Sequence, residues 1–135
     1  MQEHSDAWHG RMTAFLDRCR AARAGKQAAF LREAYRLQRM RDARTADAAD
    51  DRKFDRLLAQ SAFECAALEV LGPRAEYELS CGKTQTLSAR VRLAGRPQFY
   101  IGEGQTIALA LLAAWARAHL AEASNVLAIS EAERP

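Results

Sequence analysis

The residues best suited to recognise a partner in this chain are arginines. The sequence contains 17 Arg and only 3 Lys, and a guanidinium group binds phosphate or carboxylate through two parallel hydrogen bonds. A coding sequence rich in G and C would favour Arg and Ala together, and 29 residues are Ala, so the bias has two explanations. Positions 1–56 carry 13 basic and 9 acidic residues, an excess weaker than nucleic-acid-binding domains usually show.

Two groups of polar residues form candidate binding surfaces. The first follows the second predicted helix, where arginines at helical spacing either track phosphates or form a solvated face. The second lies on the predicted outer face of a sheet, where Glu and Arg form either cross-strand pairs or a flat protein-binding patch. The candidate nucleic-acid-binding residues are Arg32, Arg36 and Arg39, and the candidate partner-binding residues are Glu76, Glu78, Arg90, Arg92 and Tyr100.

The His and Cys residues do not indicate a reactive centre. The three His and three Cys are scattered, and no His lies near a Cys or Ser in a nucleophile motif. Cys65 falls on an apolar stripe and is expected to be a core residue, while His119 follows Trp115 by four residues and is expected to pack on it. We therefore expect no catalytic residue, no metal and no cofactor, and we predict that the chain is not an enzyme.

Two glycine-containing segments share only part of a phosphate-loop pattern. Residues 80–84 end like a Walker A loop, but Tyr77 stands where its first glycine belongs, and a strand is predicted to follow instead of a helix. Gly102 and Gly104 would begin a dinucleotide fingerprint, yet Ile107 replaces its third glycine. We expect these two glycines to form the turn between a strand and a helix.

The composition of the chain bears on its cellular compartment and on the size of its hydrophobic core. The apolar run at 107–116 is shorter than the roughly 20 residues that cross a bilayer, and three Cys without close spacing suit a reducing compartment. A cytoplasmic protein without a membrane partner is therefore predicted. Only 26 residues are Leu, Ile, Val or Phe, and such a thin core favours a stabilising partner or a homo-oligomer.

The amino-terminal half is predicted to be helical. Apolar residues at intervals of three and four indicate helices over about 6–24 and 26–44. A polar connection at 45–51 precedes a third helix, which Asp50 or Asp51 would cap and which continues to residue 71. Gly72 and Pro73 supply its stop, since Gly accepts a left-handed conformation and Pro cannot continue a helix.

After residue 73 the apolar period changes to two, which indicates three strands. Short turns at 82–83 and 94–97 favour an antiparallel meander that is apolar on one side. The inner face is predicted to carry Tyr77, Leu79, Cys81, Leu87, Ala89, Val91, Leu93, Phe99 and Ile101, with Gln98 and Tyr100 on the outer face.

The last predicted helix, over 106–122, has no polar face for about three turns. A helix that is apolar all round has to be covered on more than one side. We expect Thr106 to cap it, and we expect it to lie between the apolar face of the sheet and the helix that ends at Leu71. The residues after Ser124 lack a period and are predicted to form a tail.

The order helix, three strands, helix over 50–122 resembles a double-stranded RNA-binding domain. The basic triplet with which that family touches RNA would fall at Ile107, Ala108 and Leu111. These residues are apolar, so the resemblance implies the fold without its usual RNA contact. The residues that carry the resemblance are Gly102, Gly104, Thr106, Ala110, Ala114 and Ala118.

Residues 104–114 also resemble the closing strand, turn and helix of small phage proteins with an α-β-α sandwich, which commonly carry Gly-Glu-Thr before an apolar helix. This resemblance implies a phage or prophage accessory protein, a class rich in binders that modulate host machinery.

The predicted fold class is α+β, with amino-terminal helices, a three-stranded antiparallel meander and a carboxy-terminal helix buried on one sheet face. We predict one domain over 1–135, made of a helical hairpin extension at 1–46, an α-β-β-β-α unit at 50–122 and a tail at 124–135. The predicted function is non-enzymatic contact with a protein partner, in a regulatory role. The alternative is nucleic-acid binding through the Arg-rich second helix.

Overall fold

The computed structural model describes the backbone of residues 2–41, 48–81 and 86–132, with side chains described over 6–41, 48–81 and 86–124. Within these residues the fold is α+β, as predicted, with five α-helices and an antiparallel sheet in the order β1-β2-β3. The helices are α1 (Gln2–Ala21), α2 (Gln27–Arg41), α3 (Ala48–Ala59), α4 (Phe63–Leu71) and α5 (Ile107–Ala132), and the strands are β1 (Glu76–Cys81), β2 (Leu87–Arg92) and β3 (Tyr100–Gly104).

The carboxy-terminal helix lies at the centre of the molecule. One side of α5 packs on β2 and β3, and its other sides pack on α1, α2 and α4, so that residues 108–116 are all buried. This arrangement confirms that a helix without a polar face is covered on more than one side. Thr106 is its cap, as predicted, because the Leu109 amide donates a 3.1 Å hydrogen bond to Thr106 Oγ1. The helix continues to Ala132, beyond its predicted end at residue 122 and into the segment predicted as a tail.

The amino-terminal helices belong to the same core. A single cluster of buried side chains includes Trp8, Met12 and Phe15 from α1, Leu31 from α2 and Trp115 from α5. The Phe15 and Trp115 rings meet edge to face, with centroids 6.3 Å apart. Residues that the sequence assigned to an extension therefore cover the side of α5 that faces away from the sheet.

Strand β3 and α5 approach so closely that two strand positions have to be glycine. A Cβ atom on Gly102 would lie 2.1 Å from Ala114 N, and one on Gly104 would lie 2.7 Å from Ala110 N. Both glycines are part of the strand. They make room for the helix backbone, so the prediction that they form the turn before the helix is wrong.

The same contact reverses the predicted faces of β3. The register pairs Val91 with Tyr100 and Ala89 with Gly102, while Arg90 pairs with Ile101. Directly paired residues share a sheet face, so Tyr100 lies on the inner face and Ile101 on the outer face, opposite to the prediction. The other two inner positions of β3, Gly102 and Gly104, carry no apolar signal in the sequence, because α5 leaves no space there for a side chain.

The predicted third helix is divided into α3 and α4. Between them Ser61 has a φ of 56°, a left-handed conformation that ends α3. The break turns α4 about its axis, so that Ala66 and Ala67 are buried while Cys65 is exposed. The prediction of Cys65 as a core residue is therefore wrong.

The predicted stops and turns are otherwise confirmed where the structure describes them. Gly72 ends α4 with a φ of 91°, and its amide donates to the Leu68 carbonyl at 3.0 Å. Gly95 has a φ of 75° in the turn at 94–97. The turn at 82–83 and residues 45–47 of the predicted connection lie outside the described residues. Helix α3 begins at Ala48, so the prediction that Asp50 or Asp51 caps it is wrong; both lie inside its first turn, where carboxylates are favourable for the helix dipole.

Candidate protein-interaction surface

The outer face of the sheet carries cross-strand ion pairs. Arg90 Nη1 lies 3.3 Å from Glu78 Oε2, and Arg92 pairs with Glu76. Both guanidinium groups also lie over the Phe99 ring, 4.9 and 4.8 Å from its centroid. Each Arg is thus engaged by a carboxylate and by an aromatic ring of its own chain, as the cross-strand explanation of these residues requires.

Tyr100 lies apart from the other four predicted partner-binding residues. Its hydroxyl is 3.1 Å from Glu122 Oε1 on α5, and the second oxygen of the buried Glu122 carboxylate is 3.5 Å from Arg96 Nε. Tyr100 therefore ties β3 to α5. Its predicted position on the outer face is wrong, because that prediction took the alternation of β3 from Phe99 and Ile101.

The three candidate nucleic-acid-binding residues meet in a groove between α2 and α3. Arg32, Arg36 and Arg39 line this groove of about 600 Å³ together with Asp51 and Asp55. Arg39 pairs with Asp51, and Arg32 Nη1 lies 3.6 Å from Asp55 Oδ1. Arg36 is exposed and makes no ion pair among the described residues.

Aromatic packing fixes the floor of this groove. The Tyr35 ring stacks on Phe54 with centroids 4.1 Å apart, and the Tyr35 hydroxyl donates to Asp51 Oδ1 at 2.7 Å. Burial raises the pKa of Tyr35, so the hydroxyl keeps its proton at neutral pH. Carboxylates accompany two of the three arginines, so the three Arg and two Asp that line the groove leave only one uncompensated positive charge, whereas phosphate binding usually draws on several.

Large apolar side chains are exposed on β1, a feature that the sequence analysis missed. Tyr77 is 44% exposed and Leu79 is 46% exposed, and all six residues of β1 are exposed. Tyr77 pairs with Val91 and Leu79 with Ala89, so both lie on the inner face where the sequence places them. Val91 and Ala89 on that face are buried, whereas no helix packs over Tyr77 and Leu79 among the described residues.

The width of α5 explains why β1 is uncovered. A helix with its side chains is about 10–12 Å across, and neighbouring strands lie about 4.8 Å apart. One helix therefore covers about two strands of a flat sheet, and α5 lies on β2 and β3. The combination of three strands with one sheet-covering helix already indicates an uncovered strand, and this signal was present in the sequence.

The edge of β1 lacks the usual protection against pairing with another chain. Exposed edge strands are commonly blocked by Lys, by Pro or by a bulge. Residues 76–81 contain neither Lys nor Pro, and β1 pairs with β2 through six consecutive residues without a bulge. The two Glu side chains of β1 are ion-paired to Arg90 and Arg92, which reduces their repulsion toward an incoming strand.

Comparison with known proteins gives no match to a family model, to a curated protein or to a solved structure. The candidate site therefore depends on geometry and chemistry alone. No helix in the described part of the chain is long and apolar enough to cross a membrane. The described side chains, over 6–41, 48–81 and 86–124, contain no group of three or more His, Cys, Asp or Glu that could hold a metal ion.

Proposed function

We propose that this chain is a non-enzymatic binding protein that contacts a protein partner by strand addition at the β1 edge. The observation that carries the proposal is the pair Tyr77 and Leu79, each almost half exposed on a strand that has one strand neighbour among the described residues. An added strand gains affinity from main-chain hydrogen bonds and specificity from alternate side chains. Regulation of host machinery by a phage-type accessory protein is one role that such contact would serve.

The two surfaces predicted from the sequence support this proposal less well. The arginines of the outer sheet face already hold Glu76, Glu78 and Phe99, and a partner would have to displace those contacts. In the groove, Arg32 and Arg39 already have carboxylate partners. At β1 a partner would cover apolar surface that is exposed to water, which is favourable without the loss of an existing contact.

Affinity enrichment from a lysate of the native cells tests this proposal. The baits are the wild-type chain, a Tyr77→Lys/Leu79→Lys variant and the matched control Ile101→Lys, each with and without nuclease. Ile101 is 49% exposed on the opposite edge strand, so the control adds a charge at equal exposure but at the other edge. We expect a protein that wild type and control retain in the presence of nuclease and that the double variant loses.

The same experiment includes the nucleic-acid alternative. Enrichment that disappears with nuclease, and with replacement of Arg32, Arg36 and Arg39 by Gln, would favour nucleic-acid binding through α2, whose affinity falls steeply with salt. A protein retained equally by the wild type and by the double variant would exclude β1 as the contact surface.

A further inference from the structure

We infer that β1 pairs with β1 of a second copy of this chain, antiparallel and about a two-fold axis at Leu79. The inference rests on the proposed function, since it names the occupant of the same edge. Such a pair would join two three-stranded sheets into one six-stranded sheet, with the outward backbone groups of both edges satisfied. A two-fold interface requires a strand that is complementary to itself, and β1 meets this condition in one register.

Side-chain alternation restricts the register. Odd-numbered residues of β1 must lie opposite odd-numbered residues of the second copy, and even opposite even. A slip by one residue would place the apolar residues of the two copies on opposite faces of the sheet. An axis at Leu79 opposes Leu79 to its own copy, Tyr77 to Cys81, and Glu78 to Ser80. Each residue of β1 from Tyr77 to Cys81 then lies opposite a residue of the second copy, and the apolar residues among them all lie on one face.

Charge excludes the registers with the axis at Tyr77 or at Glu78, and an axis at Ser80 would oppose only residues 79–81 of β1. An axis at Tyr77 would oppose Glu76 to Glu78, and an axis at Glu78 would oppose that residue to its own copy. Like charges directly opposite each other destabilise a strand pair. With the axis at Leu79 no two carboxylates are opposed among residues 77–81, and each copy retains the ion pair of Glu78 with Arg90.

The helix layer supports a second copy as the occupant. In each copy α5 covers β2 and β3 and leaves β1 uncovered. Pairing through β1 would place both uncovered strands side by side between the two α5 helices, where Leu79 of one copy would contact Leu79 of the other. A chain with only 26 large aliphatic or Phe residues in 135 would gain apolar contacts that its own core does not supply.

Sedimentation equilibrium of the full chain over a wide concentration range tests the association. We expect the mean mass of the wild type to rise from 15.0 kDa toward twice that value. Leu79→Lys should keep the monomer mass at all concentrations, and Ile101→Lys should behave like the wild type. Circular dichroism melts of the three proteins, recorded at a concentration where the wild type is monomeric, should coincide, because both positions are exposed; at higher concentration association would raise the melting temperature of the wild type.

Cysteine cross-linking tests the register. In a background with Cys65→Ser and Cys81→Ser, Leu79→Cys should form a disulfide-linked dimer on mild oxidation, since directly opposed Cα atoms about 4.5–5.5 Å apart suit a disulfide. Tyr77→Cys in the same background is the matched control. Its two copies would be offset by four residues, about 13 Å along the strand, so it should not cross-link.

Three results would overturn the inference. They are a wild type that stays monomeric, a dimer that survives Leu79→Lys, and cross-linking at residue 77 without cross-linking at residue 79. A monomeric chain that still captures a protein through Tyr77 and Leu79 would remove the second copy as the occupant and leave the proposed function intact. A chain that neither dimerises nor captures a protein through β1 would remove both.

Discussion

The two edge strands of this sheet have opposite environments. On the inner face of β3 two of the three residues are glycines, Gly102 and Gly104, and the α5 backbone lies directly against them. On the inner face of β1 the residues are Tyr77 and Leu79, and they are exposed. The β3 edge is also occupied by a helix side chain, because Arg117 Nη1 donates to the Ile101 carbonyl at 3.2 Å. The described residues supply no such side-chain bond to the backbone of 76–80.

This difference separates the packed part of the sheet from the part that we propose for interaction. The β3 side allows α5 to approach only where side chains are absent, so its sequence is constrained by packing. The β1 side contributes little to the core, and its apolar residues therefore need another explanation. Exposed apolar patches on an unprotected edge are typical of interaction sites.

The largest expected effect comes from filling the space between β3 and α5. Gly102→Val would place side-chain atoms against the Ala113 and Ala114 backbone, which cannot move aside without shifting α5. We expect a loss of about 3 kcal/mol or more in the free energy of unfolding, measured by urea denaturation. As a control, Gly10→Ala in α1, where a Cβ would meet nothing within 4 Å, should stabilise the protein by up to about 1 kcal/mol.

A Leu→Ala substitution should lower the free energy of unfolding much more on α5 than on β1. Leu112→Ala removes a fully buried side chain of α5 and should destabilise the protein by about 3 kcal/mol. Leu79→Ala on β1 should change the free energy of unfolding by less than about 0.5 kcal/mol, measured at a concentration where the chain is monomeric. Equal costs at the two positions would show that β1 is covered in the folded monomer.

Acid should lower the free energy of unfolding, because His119 is buried where α5 packs on α1. Its ring meets Trp8 and Trp115 with centroids 6.0 and 5.3 Å away, as predicted for Trp115, and burial, followed by the charge of Arg41, lowers its pKa from 6.5 to about 3. Below pH 6.5 the unfolded state binds a proton that the folded state does not, so stability is complete above this value and falls with decreasing pH.

The loss should reach at most about 2 kcal/mol near pH 5. Thermal melts between neutral and mildly acidic pH measure this slope. In His119→Phe, which keeps a ring between the two Trp residues, the slope over this window should decrease. An unchanged slope would assign the pH dependence to other groups.

The smallest expected effect concerns the reactivity of the three cysteines and involves no change in stability. Burial raises the pKa of Cys19 to about 12, whereas Cys81 of β1 and Cys65 of α4 are exposed. A thiol reagent at neutral pH should modify two cysteines of the native chain rapidly and the third only after unfolding. Mass spectrometry of the single Cys→Ser variants assigns each rate, and rapid labelling of Cys19 would contradict the described core.

The sequence predicted the elements better than their faces. The helical period, the stop at Gly72 and the alternation of β1 and β2 are local properties, and all three predictions are confirmed. The face of β3 depends on how closely another element approaches, and glycines at inner positions carry no hydrophobic signal. The break at Ser61 also gave no local signal, because no Gly or Pro marks it.

The candidate site at Tyr77 and Leu79 was not predicted from the sequence, and only the ion pairs on the other face of the same strands were. The ion pairs of Glu76 and Glu78 with Arg92 and Arg90 follow from strand register, which the turns largely determine. Exposure of Tyr77 and Leu79 depends on where α5 lies across the sheet, and that position is a tertiary property. An apolar residue on the inner face of a strand is usually buried, so alternation alone points away from this surface.

Amide hydrogen exchange, resolved by residue, tests the central claim most directly. It compares the dilute monomer with the associated state, formed either by the chain at high concentration or by adding the captured partner. We predict new protection in β1 at residues 77–81, with no change in β3 at residues 100–104 or in α2 at residues 32–39. New protection in α2 or β3, with β1 unchanged, would contradict the claim that β1 is the contact edge.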